Sequence, residues 1–191
     1  MNELLSEIRN CRECEKYLEF GVNPIIAASA ESKIIIIGQA PGMIVHKTAV
    51  PWNDKSGDNL RKWLGIDKTV FYDPKMIALM PMGFCYPGKN KSGDLPPRPE
   101  CAPLWHNKLL VFMKHAKLAL LIGQYSQNYY LKSRAMDNLT ETVKSYKTFL
   151  PEYFPLPHPS PRNNIWQTKN EWFGLEVLPD LKKYVKRILD S

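Results

Sequence analysis

Two short segments of the chain carry the residues best suited to chemistry. Near the C-terminus, Pro157-His158-Pro159-Ser160-Pro161-Arg162-Asn163 sets one imidazole, one hydroxyl and one guanidinium among three prolines. Proline fixes φ, so this backbone is stiff and holds those side chains on display. An imidazole exchanges or donates protons near neutral pH, and a hydroxyl beside a guanidinium can grip a phosphate. Far earlier, Gly38-Gln39-Ala40-Pro41-Gly42 follows the apolar run Ile34-Ile35-Ile36-Ile37. A short β-branched run bounded by glycine reads as a buried parallel strand over residues 33–37 that empties into a tight loop. Ligand-binding loops of α/β proteins sit at such strand ends.

The third chemical set is the cysteines. Cys11 and Cys14 form a C-x2-C pair, and Cys85 and Cys101 have fifteen residues between them. A close pair on one turn with two thiolates from a distant loop can converge on an iron-sulfur cluster. The same four ligands suit tetrahedral zinc, and four free thiols buried as small hydrophobes are the third alternative. The start of the chain, Met1-Asn2-Glu3-Leu4-Leu5-Ser6-Glu7-Ile8, lacks the basic and apolar regions of a signal peptide. No stretch approaches the ~20 apolar residues of a membrane span. A cytoplasmic protein is therefore expected, whose reduced thiols favour metal or redox roles over disulfides.

The elements that must hold these groups alternate. Helix-like spacing of Leu4, Leu5, Ile8 and Leu18 is interrupted by Cys11-Arg12-Glu13-Cys14. After the strand at 33–37, Leu60, Trp63 and Leu64 mark a helix, residues 76–80 a second strand, and 101–115 another helix. The loop over 86–99 is rich in proline, and such a structureless length in a compact domain is usually functional. Leu118-Ala119-Leu120-Leu121-Ile122 is the third strand, with a helix from Gln124, and residues 149–156 form a fourth strand leading into the histidine segment. Helices over 166–173 and 175–188 close the chain. This pattern predicts an α/β fold, a three-layer α/β/α sandwich with a central four-stranded parallel sheet, in one domain over 1–191. With 44% hydrophobic residues the chain can build a core, and its net charge of +7 fits a polyanionic partner.

The pair of loops resembles the two signature motifs of the uracil-DNA glycosylase superfamily, an opening Gly-x-x-Pro loop and a closing His-Pro-Ser loop. His-Pro-Ser-Pro-Arg-Asn is worded most like the single-strand-selective branch, and Gly-Gln-Ala-Pro-Gly is similar to the Gly-Glu-Ala-Pro-Gly loop of the iron-sulfur branch. The cysteine layout, with Pro96-Pro97 ahead of Glu100-Cys101, resembles that branch as well. The resemblance implies a monomeric DNA glycosylase of base excision repair, a [4Fe-4S] cluster on Cys11, Cys14, Cys85 and Cys101, and single- or double-stranded DNA as partner. A glycosylase reaches its bond by flipping the nucleotide into a pocket. Gly38, Ala40, Pro41 and Gly42 would line that pocket, and Pro51-Trp52 resembles the branch's Pro-Phe pair, with Trp52 as stacking platform. Ordinary core packing is the alternative for Trp52, against which its polar neighbours Asn53, Asp54 and Lys55 argue.

His158 resembles the family's donor to the departing base. Ser160 and Arg162 would contact DNA, and Lys169 is a further phosphate candidate or a solvated helix charge. Two departures matter. Ala40 stands where the best-known branch has its water-activating aspartate and Gln39 where the iron-sulfur branch has glutamate, so the acid must come from elsewhere. Asp54, just beyond Trp52, leads; Asp58 is second, and Gln39 holds the water if neither serves. Helix N-capping is the alternative for both aspartates and suits Asp58 better. The segment Met80-Pro81-Met82-Gly83-Phe84-Cys85 also lacks the asparagine with which the family reads uracil, so the base is open. The competing functions are an inactive nucleic-acid-binding member of the fold and, last, a small-molecule enzyme using Gly38 to Gly42 as a phosphate cradle.

Overall fold

The computed structural model describes residues 1–91 and 93–191. Its main sheet has the strands β1 (Ile34–Ile37) and β2 (Ile77–Leu79) followed, after a small β3 (Lys89–Asn90) and β4 (Gly93–Asp94) hairpin, by β5 (Leu118–Ile122) and β6 (Tyr153–Leu156). The four main strands run parallel in the order β2-β1-β5-β6. Flanking them are α1 (Asn2–Arg9), α2 (Met43–Thr48), α3 (Lys55–Leu64), α4 (Lys68–Tyr72), α5 (Cys101–Phe112), α6 (Gln124–Leu131), α7 (Leu139–Lys144), α8 (Asn164–Lys169) and α9 (Leu178–Leu189).

Strand side chains alternate between faces, and that period of two divides the core into two layers. Ile34, Ile36, Leu118, Leu120 and Ile122 pack with Leu60 and Leu64 of α3 and Leu181 and Val185 of α9. Ile35, Ile37, Ala119 and Leu121 face the other way, against Leu5 and Ile8 of α1 and Trp105 and Leu109 of α5. Because both faces are covered, all four residues of β1 are buried, which is why the sequence reads as an unbroken isoleucine run. The expected three-layer α/β/α sandwich is thus the observed one. Truncating a core residue such as Ile36 to alanine would cost about 2–5 kcal/mol.

Several boundaries differ from the sequence expectation. The fourth strand begins at Tyr153, not 149, because residues 146–149 form a 3-10 turn and Pro151 interrupts the chain before the sheet. β6 contains Pro155, which an edge strand tolerates because its missing N–H breaks no ladder on the open side. The long 86–99 loop is not structureless, since β3 and β4 pair within it. The helix expected over 166–173 is split into α8 and a π-helical turn, Phe173–Val177, which runs into α9. The first helix ends at Arg9, and α5 ends at Phe112. The short helices α2, α4 and α7 carry too few residues to leave a periodic signal. Among the described residues no helix is long and apolar enough to cross a membrane.

Candidate active site and thiol cluster

The segments leaving β1 and β6 meet across the C-terminal end of β5. Between them a cavity of about 840 Å³ is lined by Gly38 to Gly42, Trp52, Asp54, His158, Ser160 and Arg162. Backbone pairing fixes its floor, with Met82 N–H donating to the Gly38 carbonyl at 2.9 Å and Gly83 N–H to that of Gln39 at 2.9 Å. Gly123, just past β5, has φ +81°, and a Cβ there would lie 2.8 Å from Gln39 Nε2. Glycine at that point therefore lets the Gln39 carboxamide settle over the strand end.

Trp52 is held by an unusual set of contacts. It has a left-handed φ of 55°, a conformation that costs a non-glycine residue about 1–2 kcal/mol. Arg61 Nη1 and the Tyr72 hydroxyl both donate to its carbonyl, each at 3.4 Å. Arg61 is buried, paired to Asp58 at 2.6 Å, and packed over the rings of Phe71 and Tyr72. Gly57 makes room for the turn, since a Cβ there would sit 1.8 Å from the Trp52 oxygen. The indole packs over Gly38, where a Cβ would lie 2.8 Å from Cζ2, and stacks on the His158 ring at 5.8 Å and 29°. It lines the cavity and also touches the core layer of α3 and α9, so the two readings of Trp52 describe two sides of one ring.

The histidine loop is clamped from both ends. Asn59 Nδ2 of α3 donates to the Pro159 carbonyl at 3.0 Å, and Asn163 Nδ2 to that of His158 at 2.7 Å. Burial holds the His158 imidazole below its ordinary value, while the carboxylates of Asp54 and Asp94 pull it back up. The net effect disfavours the imidazolium, which suits the ring to donate a hydrogen bond to developing negative charge. Ser160 Oγ accepts from Arg162 N–H at 3.3 Å, shaping the turn, and the Arg162 guanidinium reaches the hairpin, 3.3 Å from where a Gly93 Cβ would stand.

The capping assignment is corrected. Asp54, not Asp58, caps α3, its Oδ1 accepting from Gly57 N–H at 2.8 Å, because Asp54 has the extended backbone of a cap and Asp58 lies a turn inside the helix beside Arg61. Asp54 still lines the cavity; Asp58 does not. Lys169, at the exposed end of α8, is not among the cavity-lining residues. Sequence reasoning missed Asp94 and Tyr86, which the hairpin region adds to the cavity. Where an asparagine was absent, Pro81 lines the wall and turns its carbonyl toward buried His106, whose Nε2 lies 3.1 Å away. His106 Nδ1 faces the Tyr130 hydroxyl at 2.7 Å, and burial drives this imidazole down to about 4.

Below this region Cys11, Cys14, Cys85 and Cys101 line a second, small cavity of about 20 Å³. The Cys101 sulfur accepts from Phe84 N–H at 3.3 Å, and the Cys85 sulfur from the backbone of Asn23. Burial, reinforced by the neighbouring thiols, pushes Cys85 up to about 11 and Cys101 up to about 12. Among the described residues no three His, Cys, Asp or Glu side chains yet stand close enough to hold a metal ion. The donor set nevertheless fits a thiolate-bound group: four sulfurs share one cavity, two take backbone N–H bonds, and bound metal would remove the cost of ionising them.

Cavity, loops and sheet fall within one stretch of sequence that a family model recognises. The model of the uracil DNA glycosylase superfamily matches residues 26–182, which include both motif loops, Cys85 and Cys101 but not Cys11 or Cys14, and the chain belongs to that superfamily.

Proposed function

We propose that this protein is a monofunctional DNA glycosylase that hydrolyses the N-glycosidic bond of a flipped, damaged base. The observation that carries this reading is the His158 ring stacked on Trp52 inside the cavity formed by both motif loops. Membership of the superfamily supports action on DNA. The extruded base enters the cavity against Trp52, and Ser160 and Arg162 contact the flanking phosphates. As the bond breaks, its electron pair moves to the base, and a His158 N–H donates to the oxygen on which negative charge collects. A carboxylate lining the cavity orients the water that attacks the sugar, Asp54 being the one the resemblance suggests. The base is left open because Pro81 has neither a backbone N–H nor the side-chain amide of an asparagine, and its carbonyl faces His106.

Cys11, Cys14, Cys85 and Cys101 would hold a [4Fe-4S] cluster, placing the chain in the iron-sulfur branch. As ligands to one group, Cys11 and Cys14 would be tied to Cys85 and Cys101, which flank the 86–99 region. Protein purified without oxygen should then carry about four iron atoms per chain and a broad visible absorption. Stoichiometric zinc in its place would overturn the cluster.

The test of function is single-turnover nicking of abasic product from oligonucleotides carrying uracil, hypoxanthine, xanthine or oxidised pyrimidines. His158→Ala should slow excision by about a hundredfold while DNA affinity stays near that of the unaltered protein. A metal-loaded protein that binds DNA yet leaves every base intact would be a nucleic-acid-binding member of the fold, and the catalytic reading would fall.

A further inference from the structure

Asp54 is an imperfect candidate for handling water. One of its carboxylate oxygens is committed to the Gly57 N–H, and the carboxylate is fixed at the start of α3. Gln39 is a neutral carboxamide and Ala40 a methyl group, so neither takes a proton from water. The hairpin of β3 and β4 brings in a second carboxylate. Asp94, at the end of β4 and paired across the hairpin with Lys89, lines the cavity. Its Oδ2 lies 3.6 Å from the position of a Cβ on Gly42, at the opening loop. The Tyr86 hydroxyl donates to its Oδ1 at 3.4 Å.

Tyr86 is a firm support for that contact. It is 1% exposed and packs against the rings of Phe20 and His46, and just after it the Leu95 N–H donates to the Gly88 carbonyl at 2.9 Å, tying β4 back to the start of β3. Asp94 thus stands on a braced hairpin opposite the histidine loop, with its second oxygen directed to the opening motif. Charge gives the placement a meaning. Lys89, Lys91 and Arg162 also line this cavity and suit a polyanion, which a carboxylate among them opposes. A negative group there helps only where positive charge develops, and in N-glycoside cleavage that is the sugar in the transition state.

On the glycosylase reading, we infer that Asp94 is a further catalytic residue, whose carboxylate orients and deprotonates the attacking water, and that Tyr86 is its positioning residue. The water oxygen bonds to C1′ as the bond from C1′ to the base nitrogen breaks, and the electron pair of that bond leaves with the base. Asp94 takes the water proton and releases it to solvent, from which the base anion is protonated. The products are the free base and an abasic sugar.

The experiment follows single-turnover excision, with the holoprotein in excess, on the panel of modified single-stranded oligonucleotides, together with binding and melting of each variant. Asp94→Asn should slow excision by about a hundredfold or more, with affinity unchanged within about twofold. Formate should restore at least about tenfold of the rate lost in Asp94→Ala by acting as a carboxylate in its place, which a structural defect would not allow. Tyr86→Phe should lower the rate by about three- to tenfold with affinity unchanged. Asp94→Ser serves as a second variant should Asp94→Asn fold poorly. Excision by Asp94→Asn at the rate of the unaltered protein would overturn the role of Asp94 and leave the glycosylase reading standing. A slowed Asp94→Ala that formate does not rescue and that melts lower would mark a structural residue and overturn it equally. An unaltered protein inert on the whole panel would remove the glycosylase reading and this inference with it.

Discussion

Gly57→Ala separates the packing around Trp52 from ordinary helix chemistry, because the two predict opposite signs. Gly57 lies in α3, where alanine is normally favoured over glycine by about 0.5–1 kcal/mol. Here an added Cβ would stand 1.8 Å from the Trp52 oxygen, 2.7 Å from its carbonyl carbon and 2.9 Å from its Cβ. Those are backbone and near-backbone atoms of a residue already held in a left-handed conformation, so no side-chain rotation relieves the clash. Overpacking of this kind costs about 1–3 kcal/mol. If the first turn of α3 shifts instead, the 2.8 Å cap from Asp54 is lost, at about 1 kcal/mol. After the propensity gain, a net destabilisation of up to about 2.5 kcal/mol follows, which for a chain of this size lowers Tm by up to about 10 °C. The same shift moves the indole off Gly38 and His158, so affinity for a modified single-stranded oligonucleotide should weaken by about 1–3 kcal/mol, the worth of one stacked base. Gly174→Ala is the control: nothing lies within 4 Å of its Cβ position, and its melt should be unchanged or slightly higher. Calorimetric melts beside fluorescence titrations check both statements. A Gly57→Ala protein that melts at or above the unaltered protein would refute the steric account of how Trp52 is held.

Asp54→Asn keeps a good capping side chain and removes the charge, so stability should hold within about 0.5 kcal/mol, whereas Asp54→Ala should cost about 1 kcal/mol; urea unfolding distinguishes them. His106, buried and depressed to about 4, gains its proton more readily when unfolded, so its contribution is intact above the ordinary value of 6.5 and is lost as pH falls from there toward 4. Unfolding free energies measured from pH 7 to 4 should therefore fall, by a share of about 3 kcal/mol from this residue, and fall less in His106→Gln. Arg162→Ala should lower DNA affinity and reduce the slope of its salt dependence by about one, while Lys169→Ala should leave both unchanged, as read from binding isotherms over a range of salt.

The apolar runs at Ile34, Ile77 and Leu118 announced three strands without any tertiary information, because a strand covered on both faces needs hydrophobic residues at every position. The two loops that leave the sheet at Gly38 and Pro157 were equally legible, since proline and glycine impose their conformations locally. So were the thiols as a group of four. What could not be read locally was decided by distance. Which aspartate caps α3 depends on the backbone entering the helix, itself set by the Trp52 turn and the Arg61 and Tyr72 donors that reach it. The fourth strand starts late because Pro151 and the preceding 3-10 turn break a pattern that hydrophobicity alone continues. The hairpin of β3 and β4 is two residues long on each side, too short for periodicity to register, yet it carries Asp94 to the cavity that also holds His158. Residue types and local backbone preference belong to the sequence by itself; which carboxylates face one imidazole, and which carbonyl an arginine pins, arise only when segments far apart in the chain are packed against the same sheet.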